Sequence, residues 1–485
     1  MRGAAALLAG SAMLFASCSD DDAPMPDPEL TLTPDTEISL PVGGGSVEVA
    51  VSTNLGSWTA LSNETWCEVT LAEGKFTVSA DANDALAARP TATVTVTAGE
   101  GERSITREVR VTQGAQTFTD LSAAGRANCY IVAPKSAAVF DAAYKGNSST
   151  ESIGAAEGAE LVWQSAQGLV TRVAYAADEK KIIVETADMS GNAVVAAVDE
   201  AGTSLWSWHL WIVDYAPSAS LFTTAPNASG TTWSFMDRNL GALTVERGSF
   251  DSHGLLYQWG RKDPFMPARS AYHADTDSNN IPAYNETNYE VGNGSGSWIF
   301  NATTLPLTTP PGNIPNAIQN PMTYLQPYYS DHYNWYCASK DEKVTHSGLW
   351  GPEKTIFDPC PVGYKVPGSN LWGIPSGNTS LRNGGPVEDY DENGVSDKWD
   401  WNKAEDCGRR WKNTGDYYPM VGNVYYLSIN KTTHNYTGGQ AFYWTCQPTP
   451  VTTSADCYRQ DFNDNWAIYQ TGAHVYSAQV RCVKE

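Results

Sequence analysis

An acidic stretch in the last third of the chain carries the residue types and spacing that suit a hard metal ion. Oxygen-bearing side chains stand at positions 1, 3, 5, 9 and 12 of the stretch, and a glycine at position 6 permits a tight turn. Ca²⁺ takes roughly six to eight oxygen ligands, gathered in this way by calcium loops. The stretch is therefore a candidate calcium site, and calcium is the one cofactor that the sequence suggests; the alternative is a solvated acidic loop. The predicted ligands are Asp389, Asp391, Asn393, Asp397 and Asp400.

Tryptophans are the second set of residues with a chemical use, and most of the 17 lie after residue 231. Aromatic faces stack on the apolar faces of sugar rings, while nearby amides and carboxylates bond the hydroxyls. The alternative for each is core packing, because tryptophan is usually largely buried. The candidate ligand-binding residues are Trp372, Trp399, Trp401, Trp444 and Trp466.

Catalytic motifs are not found in the sequence. It contains no Gly-x-Ser-x-Gly, His-Glu-x-x-His, P-loop or dinucleotide fingerprint, so no catalytic residue is assigned. His209 stands alone and is predicted to be structural. Paired carboxylates of a glycoside hydrolase, which are distant in sequence, remain an alternative.

The N-terminus is typical of an exported, lipid-anchored protein. Arg2 precedes an apolar run at residues 4–16, which suits a signal peptide and is too short to span a bilayer. Small residues before Cys18 resemble a lipobox, which implies cleavage after residue 17 and lipidation of Cys18. The acidic residues 20–22 resemble the surface-export signal of Bacteroidetes lipoproteins. A secreted protein with an incidental cysteine is the alternative.

The net charge of −23 disfavours nucleic acid as a partner, because the chain would repel phosphate backbones. Together with the N-terminus, it predicts a protein anchored by lipid in the outer membrane and exposed at the cell surface. The expected partners are therefore the membrane, through the anchor, and a glycan or a surface protein.

Residues 30–115 alternate apolar and polar side chains, as in residues 46–51, 91–97 and 107–111, which predicts short strands with one buried face. The segment resembles the BACON domain of Bacteroidetes surface proteins. The resemblance rests on the glycines at 43–45, on Trp58, Trp66 and Arg89, and on the closing residues 111–113. It implies an Ig-like β-sandwich that acts as a spacer or binds sugar.

Residues 118–215 predict a second β-sandwich, with strands near residues 127–132, 169–173, 181–184 and 192–198. The strand at 205–213 places Trp206, Trp208 and Leu210 on one face and His209 and Trp211 on the other. A strand apolar on both faces is predicted to lie inside a core or between domains.

Four landmarks recur in order across residues 231–485. They are MDRNLGA at 236–242, GLLYQWGRKDPF at 254–265, DPCPVGYKVP at 358–367 and VRCVK at 480–484. Together they resemble the Fibrobacter succinogenes major paralogous domain of Bacteroidetes lipoproteins. By analogy with C-type-lectin-like folds, the resemblance implies a loop-rich α+β domain.

Nine cysteines are present. Cys67 and Cys129 are single in their domains and are predicted to be buried free thiols. In an oxidising space the remaining set predicts disulfides. Joining two landmarks implies Cys360 with Cys482; a short local loop suggests Cys446 with Cys457, which leaves Cys337 with Cys407.

The predicted fold class is a β-dominated multi-domain protein. A signal peptide (1–17) and an acidic, proline-rich linker (18–29) precede the Ig-like sandwich (30–115), the second sandwich (118–215) and the α+β domain (231–485). The predicted function is a non-catalytic, lipid-anchored binding protein that presents the aromatic-rich C-terminal domain to glycan or protein. One alternative is an assembly subunit of a surface appendage, such as a pilus tip; a second is an unrecognised glycoside hydrolase.

Overall fold

The computed structural model is built almost wholly of β-strands and divides into two compact units, Met1–Phe118 and Thr119–Glu485. The prediction of a β-dominated, multi-domain chain is confirmed. The structure describes residues 26–83, 85–219, 221–223, 232–267, 281–282, 290–291, 303–304, 313–326, 334–336, 348–368, 379–380, 408–410, 415–428, 431–435, 440–448, 456–462 and 466–485.

The first unit is a sandwich of two four-stranded sheets, ordered β1-β3-β6-β5 and β2-β8-β7-β4. Neighbouring strands are antiparallel, except that the second strand runs parallel to the eighth. The strands are β1 (Leu30–Thr33), β2 (Ile38–Leu40), β3 (Gly45–Thr53), β4 (Trp58–Ser62), β5 (Glu68–Ala72), β6 (Lys75–Ala80), β7 (Ala92–Ala98) and β8 (Ile105–Gln113), with a 3₁₀ helix at Gly101–Arg103.

Alternation in the sequence explains this sandwich. In β7 every second residue is fully buried and the residues between are half-buried, as period-2 patterning requires. The inward residues of both sheets form one apolar core that includes Val49, Phe76, Val78 and Val94. The strands predicted at residues 46–51 and 107–111 lie within observed strands, and the one predicted at 91–97 lies within β7 except for residue 91.

The second unit begins with another sandwich. Its sheets are ordered β13-β14-β11-β9 and β10-β16-β15-β12, and β21 extends the latter beyond β12. The strands are β9 (Thr119–Asp120), β10 (Cys129–Val132), β11 (Ala137–Asp141), β12 (Gly158–Gln164), β13 (Val170–Ala176), β14 (Lys181–Thr186), β15 (Gly191–Val198) and β16 (Ser204–Ile212).

The strand β16 is buried on both faces, as its sequence predicted. Trp206, Trp208 and Leu210 pack in the core between the two sheets of the sandwich. Trp211, on the opposite face, packs in a second core together with the C-terminal landmarks. The sandwich and the C-terminal region therefore share β16 and lie in one unit.

The C-terminal region is organised around a nine-stranded sheet, in the order β20-β29-β28-β33-β30-β31-β32-β25 with β19 beside β33, and a four-stranded sheet, β17-β18-β34-β24. The elements are β17 (Leu221–Thr223), β18 (Ser234–Met236), β19 (Leu256–Gln258), β20 (Ile281–Pro282), β21 (Glu290–Val291), β22 (Thr303–Thr304), α1 (Asn313–Gln319), β23 (Leu325–Gln326), β24 (Tyr364–Lys365), β25 (Thr379–Ser380), β26 (Gly408–Arg410), β27 (Tyr417–Pro419), β28 (Asn423–Ser428), β29 (Lys431–Asn435), β30 (Ala441–Pro448), β31 (Asp456–Phe462), β32 (Trp466–Ala473), β33 (Ser477–Gln479) and β34 (Val483–Lys484), with 3₁₀ helices at Pro217–Ala219 and Phe250–Ser252.

The four sequence landmarks meet in one core. Met236, Trp259, Cys360 and Val480 come from different landmarks and belong to the same buried cluster. Arg481 is also buried, and its guanidinium donates to Asn239 Oδ1 at 3.0 Å and to the carbonyl oxygen of Tyr417 at 2.7 Å. Among the described residues, no helix has both the length and the apolar character needed to cross a bilayer.

His209 of β16 is a buried, hydrogen-bonded histidine. Its Nε2 lies 2.9 Å from Asn192 Oδ1, and Asn192 in turn donates to the carbonyl oxygen of Gly241. Burial lowers the pKa of His209 to about 3. The neutral ring therefore contributes stability that depends on pH, because the unfolded chain binds a proton at this histidine more readily than the folded chain does.

We expect His209 to make the second unit acid-sensitive. An exposed histidine titrates near a pKa of about 6.5, so this contribution is full above about pH 6.5 and is lost as the pH falls toward the folded value. Between pH 6.5 and pH 5 the unfolding free energy should drop by about 2 kcal/mol. Urea denaturation of the wild type and of His209→Gln at both pH values measures the free energy of unfolding. This free energy should fall with pH in the wild type and change less in the variant. An equal fall in both proteins would contradict the assignment.

Candidate functional site

Of the five tryptophans predicted to bind a ligand, the structure describes the side chain of Trp444. Trp372, Trp399 and Trp401 lie outside the described residues, as does the side chain of Trp466 at the start of β32. Trp444 is fully buried in the C-terminal core, and its Nε1 donates to the carbonyl oxygen of Tyr257 at 2.7 Å. The prediction of Trp444 as a ligand-binding residue is wrong: β30 is an interior strand of the large sheet, so this side chain packs inside.

The predicted calcium ligands Asp389, Asp391, Asn393, Asp397 and Asp400 lie outside the described residues. Cys18, the predicted lipidation site, lies outside them too, so both sites stay predictions. In the part of the chain that the structure describes, no group of three or more His, Cys, Asp or Glu side chains is placed to hold a metal ion.

The cysteines include one disulfide and three buried thiols among the described residues. Cys360 is joined to Cys482, with 6.0 Å between the Cα atoms, which links two landmarks. Cys67 and Cys129 are free and buried, as predicted. The structure contradicts the pairing of Cys446 with Cys457: Cys446 is free and packs in the core, and the strand register places Cys457 opposite Pro448. Cys337 and Cys407 lie outside the described residues.

Burial of Cys446 also governs its reactivity. Desolvation raises the pKa of its thiol to about 12, so almost none of the reactive thiolate forms near neutral pH. Desolvation likewise raises the pKa of the fully buried Cys129 thiol. Both residues are therefore packing groups rather than nucleophiles.

The charged residues of the second landmark, at 261–263, are buried, and Arg261 fixes the position of the segment at residues 321–323. Arg261 is 1% exposed and donates to the carbonyl oxygens of Pro321 at 3.0 Å and Thr323 at 2.6 Å. Lys262 and Asp263 form a buried pair at 2.7 Å, and Ser207 of β16 donates to Asp263 at 2.6 Å. Each charge has partners, as burial requires. Arg261 thereby holds the segment that follows α1.

This segment forms one wall of an open groove of about 610 Å³ in the second unit. We call it the β12 groove. The second wall is β12 itself, through residues 160–162, and the third is the turn at residues 202–204 that leads into β16. The lining residues are Glu160, Leu161, Val162, Gly202, Thr203, Ser204, Gln319, Asn320, Pro321, Met322 and Thr323.

The turn at the third wall is set by its sequence. Asp199 Oδ1 accepts hydrogen bonds from the backbone N–H of Ala201 at 2.9 Å and of Thr203 at 2.8 Å. Gly202 adopts a φ of +77° and donates to the carbonyl oxygen of Asp199, which closes the turn. This geometry delivers Thr203 and Ser204 to the groove. The predicted strands at 192–198 and 205–213 leave room for this turn between them, but nothing in the sequence indicated that it lines a site.

Ser204 is the polar group in the β12 groove whose hydrogen bonding is incomplete. It is 5% exposed, and its Oγ has no hydrogen-bond partner in the protein. Leaving a buried hydroxyl unsatisfied costs about 1–3 kcal/mol. A ligand with a donor or an acceptor at this position would remove that cost.

Glu160 supplies the charge of the β12 groove. It is exposed at the edge of the groove, and partial desolvation raises the pKa of its carboxyl. Among the lining residues that the structure describes, it is the single acid; none is basic and none is aromatic. Leu161, Val162, Pro321 and Met322 form the apolar part of the walls. The arrangement can bind, but it holds one carboxylate where glycoside hydrolysis uses two.

Residues 29–112 match the family model described as the viral BACON domain. The match supports a BACON domain at the N-terminus and covers less than half of the chain. No curated protein matches the chain.

Solved structures similar to the chain include a chimeric titin Z1Z2 (12% identity, 18% of this chain and 95% of that chain, TM-score 0.15). A titin I-band fragment, I67-I69, shows 13% identity over 39% of this chain and 65% of its own, with a TM-score of 0.16. Zebrafish RET cadherin-like domains 1 to 4 show 12% identity over 38% of this chain and 51% of theirs, with a TM-score of 0.17. At these TM-scores, the fold assignment rests on the strand order described above.

The BACON landmarks hold the first unit together. Gln113 is 1% exposed, and its Nε2 donates to the carbonyl oxygens of Pro41 at 2.8 Å and Asp81 at 2.9 Å. The Arg89 guanidinium lies 5.3 Å from the ring centre of Trp66. These residues bond to one another and to backbone within the module, which gives each a packing role.

We expect cysteine mapping of the full chain to recover a Cys360–Cys482 linked peptide. Cys446 should resist alkylation in the native state and react after denaturation without reductant, because it is a buried thiol rather than half of a disulfide. Cys67, also buried and free, is the matched control. A Cys446–Cys457 linked peptide would contradict the structure.

We expect Trp444→Ala to act on stability. Removing a fully buried indole should lower the unfolding free energy of the second unit by about 3–5 kcal/mol. Urea denaturation followed by tryptophan fluorescence measures the loss. The exposed Thr171→Ala is the control and should change stability by less than about 0.5 kcal/mol. If Trp444→Ala is as stable as the control, Trp444 does not have this core role and is again a candidate for ligand binding.

Proposed function

We propose that the chain is a non-catalytic cell-surface binding protein, anchored in the outer membrane by lipid on Cys18. The observation that carries the binding role is the β12 groove, where a buried Ser204 hydroxyl lacks a partner beside the Glu160 carboxyl. A volume of about 610 Å³ is within the usual range of ligand pockets. The ligand is a glycan or a surface protein.

The BACON module acts as a spacer in this proposal. Its landmark side chains are engaged inside the module, so they do not offer a set of free groups to a sugar. The match to the BACON family, a β-sandwich fold and the resemblance of the N-terminus to a lipoprotein signal peptide together support a surface role. The spacer follows the anchor in the sequence and precedes the unit that carries the groove.

We expect the purified full chain to bind a glycan or a surface protein through the β12 groove. Thr203→Trp fills the groove with a large side chain and should abolish binding. Thr171→Trp adds the same side chain at an exposed place on β13 that is not part of the groove lining, and this variant should bind normally. Glycan arrays and co-purification from intact outer membranes provide the readouts.

Two results would overturn the proposal. Absence of binding to every glycan and every surface protein would remove the binding role and leave an assembly role. Equal binding by both variants would place the ligand elsewhere in the chain. Mass spectrometry of the mature protein tests the anchor separately: acylated Cys18 is expected at the N-terminus, and an intact leader contradicts it.

A further inference from the structure

The β12 groove has a charge pattern that selects among ligands. Glu160 is the one ionisable group among its described lining residues, and the chain as a whole carries a net charge of −23. An acidic ligand would be repelled both locally and at long range, whereas a cation would be attracted on approach and neutralised on arrival. Charge complementarity therefore favours a positively charged group.

The apolar walls add a second requirement. Val162 and Met322 are half-buried and pack on the core of the C-terminal landmarks, so they present fixed apolar surface beside the carboxyl. Lysine and arginine combine an apolar stem with a charged head in one side chain. Small inorganic cations would leave this apolar surface unused.

Sugar rings fit the described lining less well. Recognition of a sugar face commonly uses an aromatic ring for stacking, and no described lining residue is aromatic. Trp444, the tryptophan candidate whose side chain the structure describes, is inside the core. The polar groups present are a carboxyl, hydroxyls and the Gln319 and Asn320 amides, which suit an amine or guanidinium and the peptide backbone beside it.

We propose that the β12 groove binds a lysine or arginine side chain displayed by an extended segment of a partner protein. The stem lies along Val162 and Met322, the charged head pairs with Glu160, and the Ser204 hydroxyl accepts or donates a hydrogen bond to the bound segment. This inference rests on the proposed binding function and names the ligand class of the same groove.

The test uses a short capped peptide with one lysine among serine, threonine and valine residues, carrying a fluorescent label. Its partner peptide has norleucine at that place, which keeps the stem and removes the charge. Fluorescence anisotropy with the full chain should show the lysine peptide binding at least about tenfold more tightly. Binding should weaken as salt is raised, because one exposed charge pair contributes.

Matched variants locate the contact. Glu160→Gln should weaken binding of the lysine peptide about five- to tenfold and leave the norleucine peptide unchanged. Glu157→Gln removes an exposed carboxyl from the same stretch of chain, outside the groove lining, and should have no effect. Ser204→Ala should weaken both peptides by about two- to fivefold, since it removes a hydrogen bond rather than a charge.

The outcomes separate this inference from the proposed function. Equal binding of the two peptides, or a Glu160→Gln protein that binds like the wild type, overturns the inference. If neither peptide binds but a neutral glycan binds and Thr203→Trp blocks it, the inference fails and the binding function stands. If nothing binds in any assay, both fail.

Discussion

The second unit depends on the burial of β16 on both of its faces. One face places Trp206 and Trp208 in the sandwich core, and the other places Trp211 in the core of the C-terminal landmarks. Because both faces are dry along the middle of the strand, the polar side chains there need internal partners. Ser207 finds Asp263 and Lys262, and His209 finds Asn192. The Ser207 bonds, together with the bond from Asn192 to Gly241, connect the sandwich to the C-terminal region in addition to the apolar contacts.

The same requirement for partners builds the groove. Residues 254–265 form a landmark whose charges are all internal, and Arg261 within it donates to the Gln258 side chain and to backbone carbonyl oxygens. The carbonyls it reaches belong to the chain segment after α1. A buried guanidinium left without acceptors would be costly, so the segment is held against the core. An interior charge therefore positions a wall of a surface groove.

Local sequence patterns predicted the strands whose positions follow from the alternation or composition of neighbouring residues. Alternation located β3, β7 and β8, and the two-sided composition of residues 205–213 identified the shared strand. The landmarks pointed to Cys360 and Cys482, which the structure joins. The predicted pairing of Cys446 with Cys457 was wrong because it considered only their short separation in the sequence. The register between β30 and β31 places Cys457 opposite Pro448 instead of Cys446.

The groove could not be read from the sequence, for a physical reason. Its walls come from residues 160–162, 202–204 and 319–323, which no local periodicity links, and its side chains are ordinary ones. The sequence instead drew attention to tryptophans, whose large apolar area makes them core residues first: Trp163, Trp259, Trp335 and Trp444 are all fully buried. Large apolar side chains therefore identify the cores that stabilise the molecule. The proposed ligand site differs in a feature that the sequence does not show: the buried Ser204 hydroxyl, delivered to the groove by the turn after Asp199, lacks a hydrogen-bond partner.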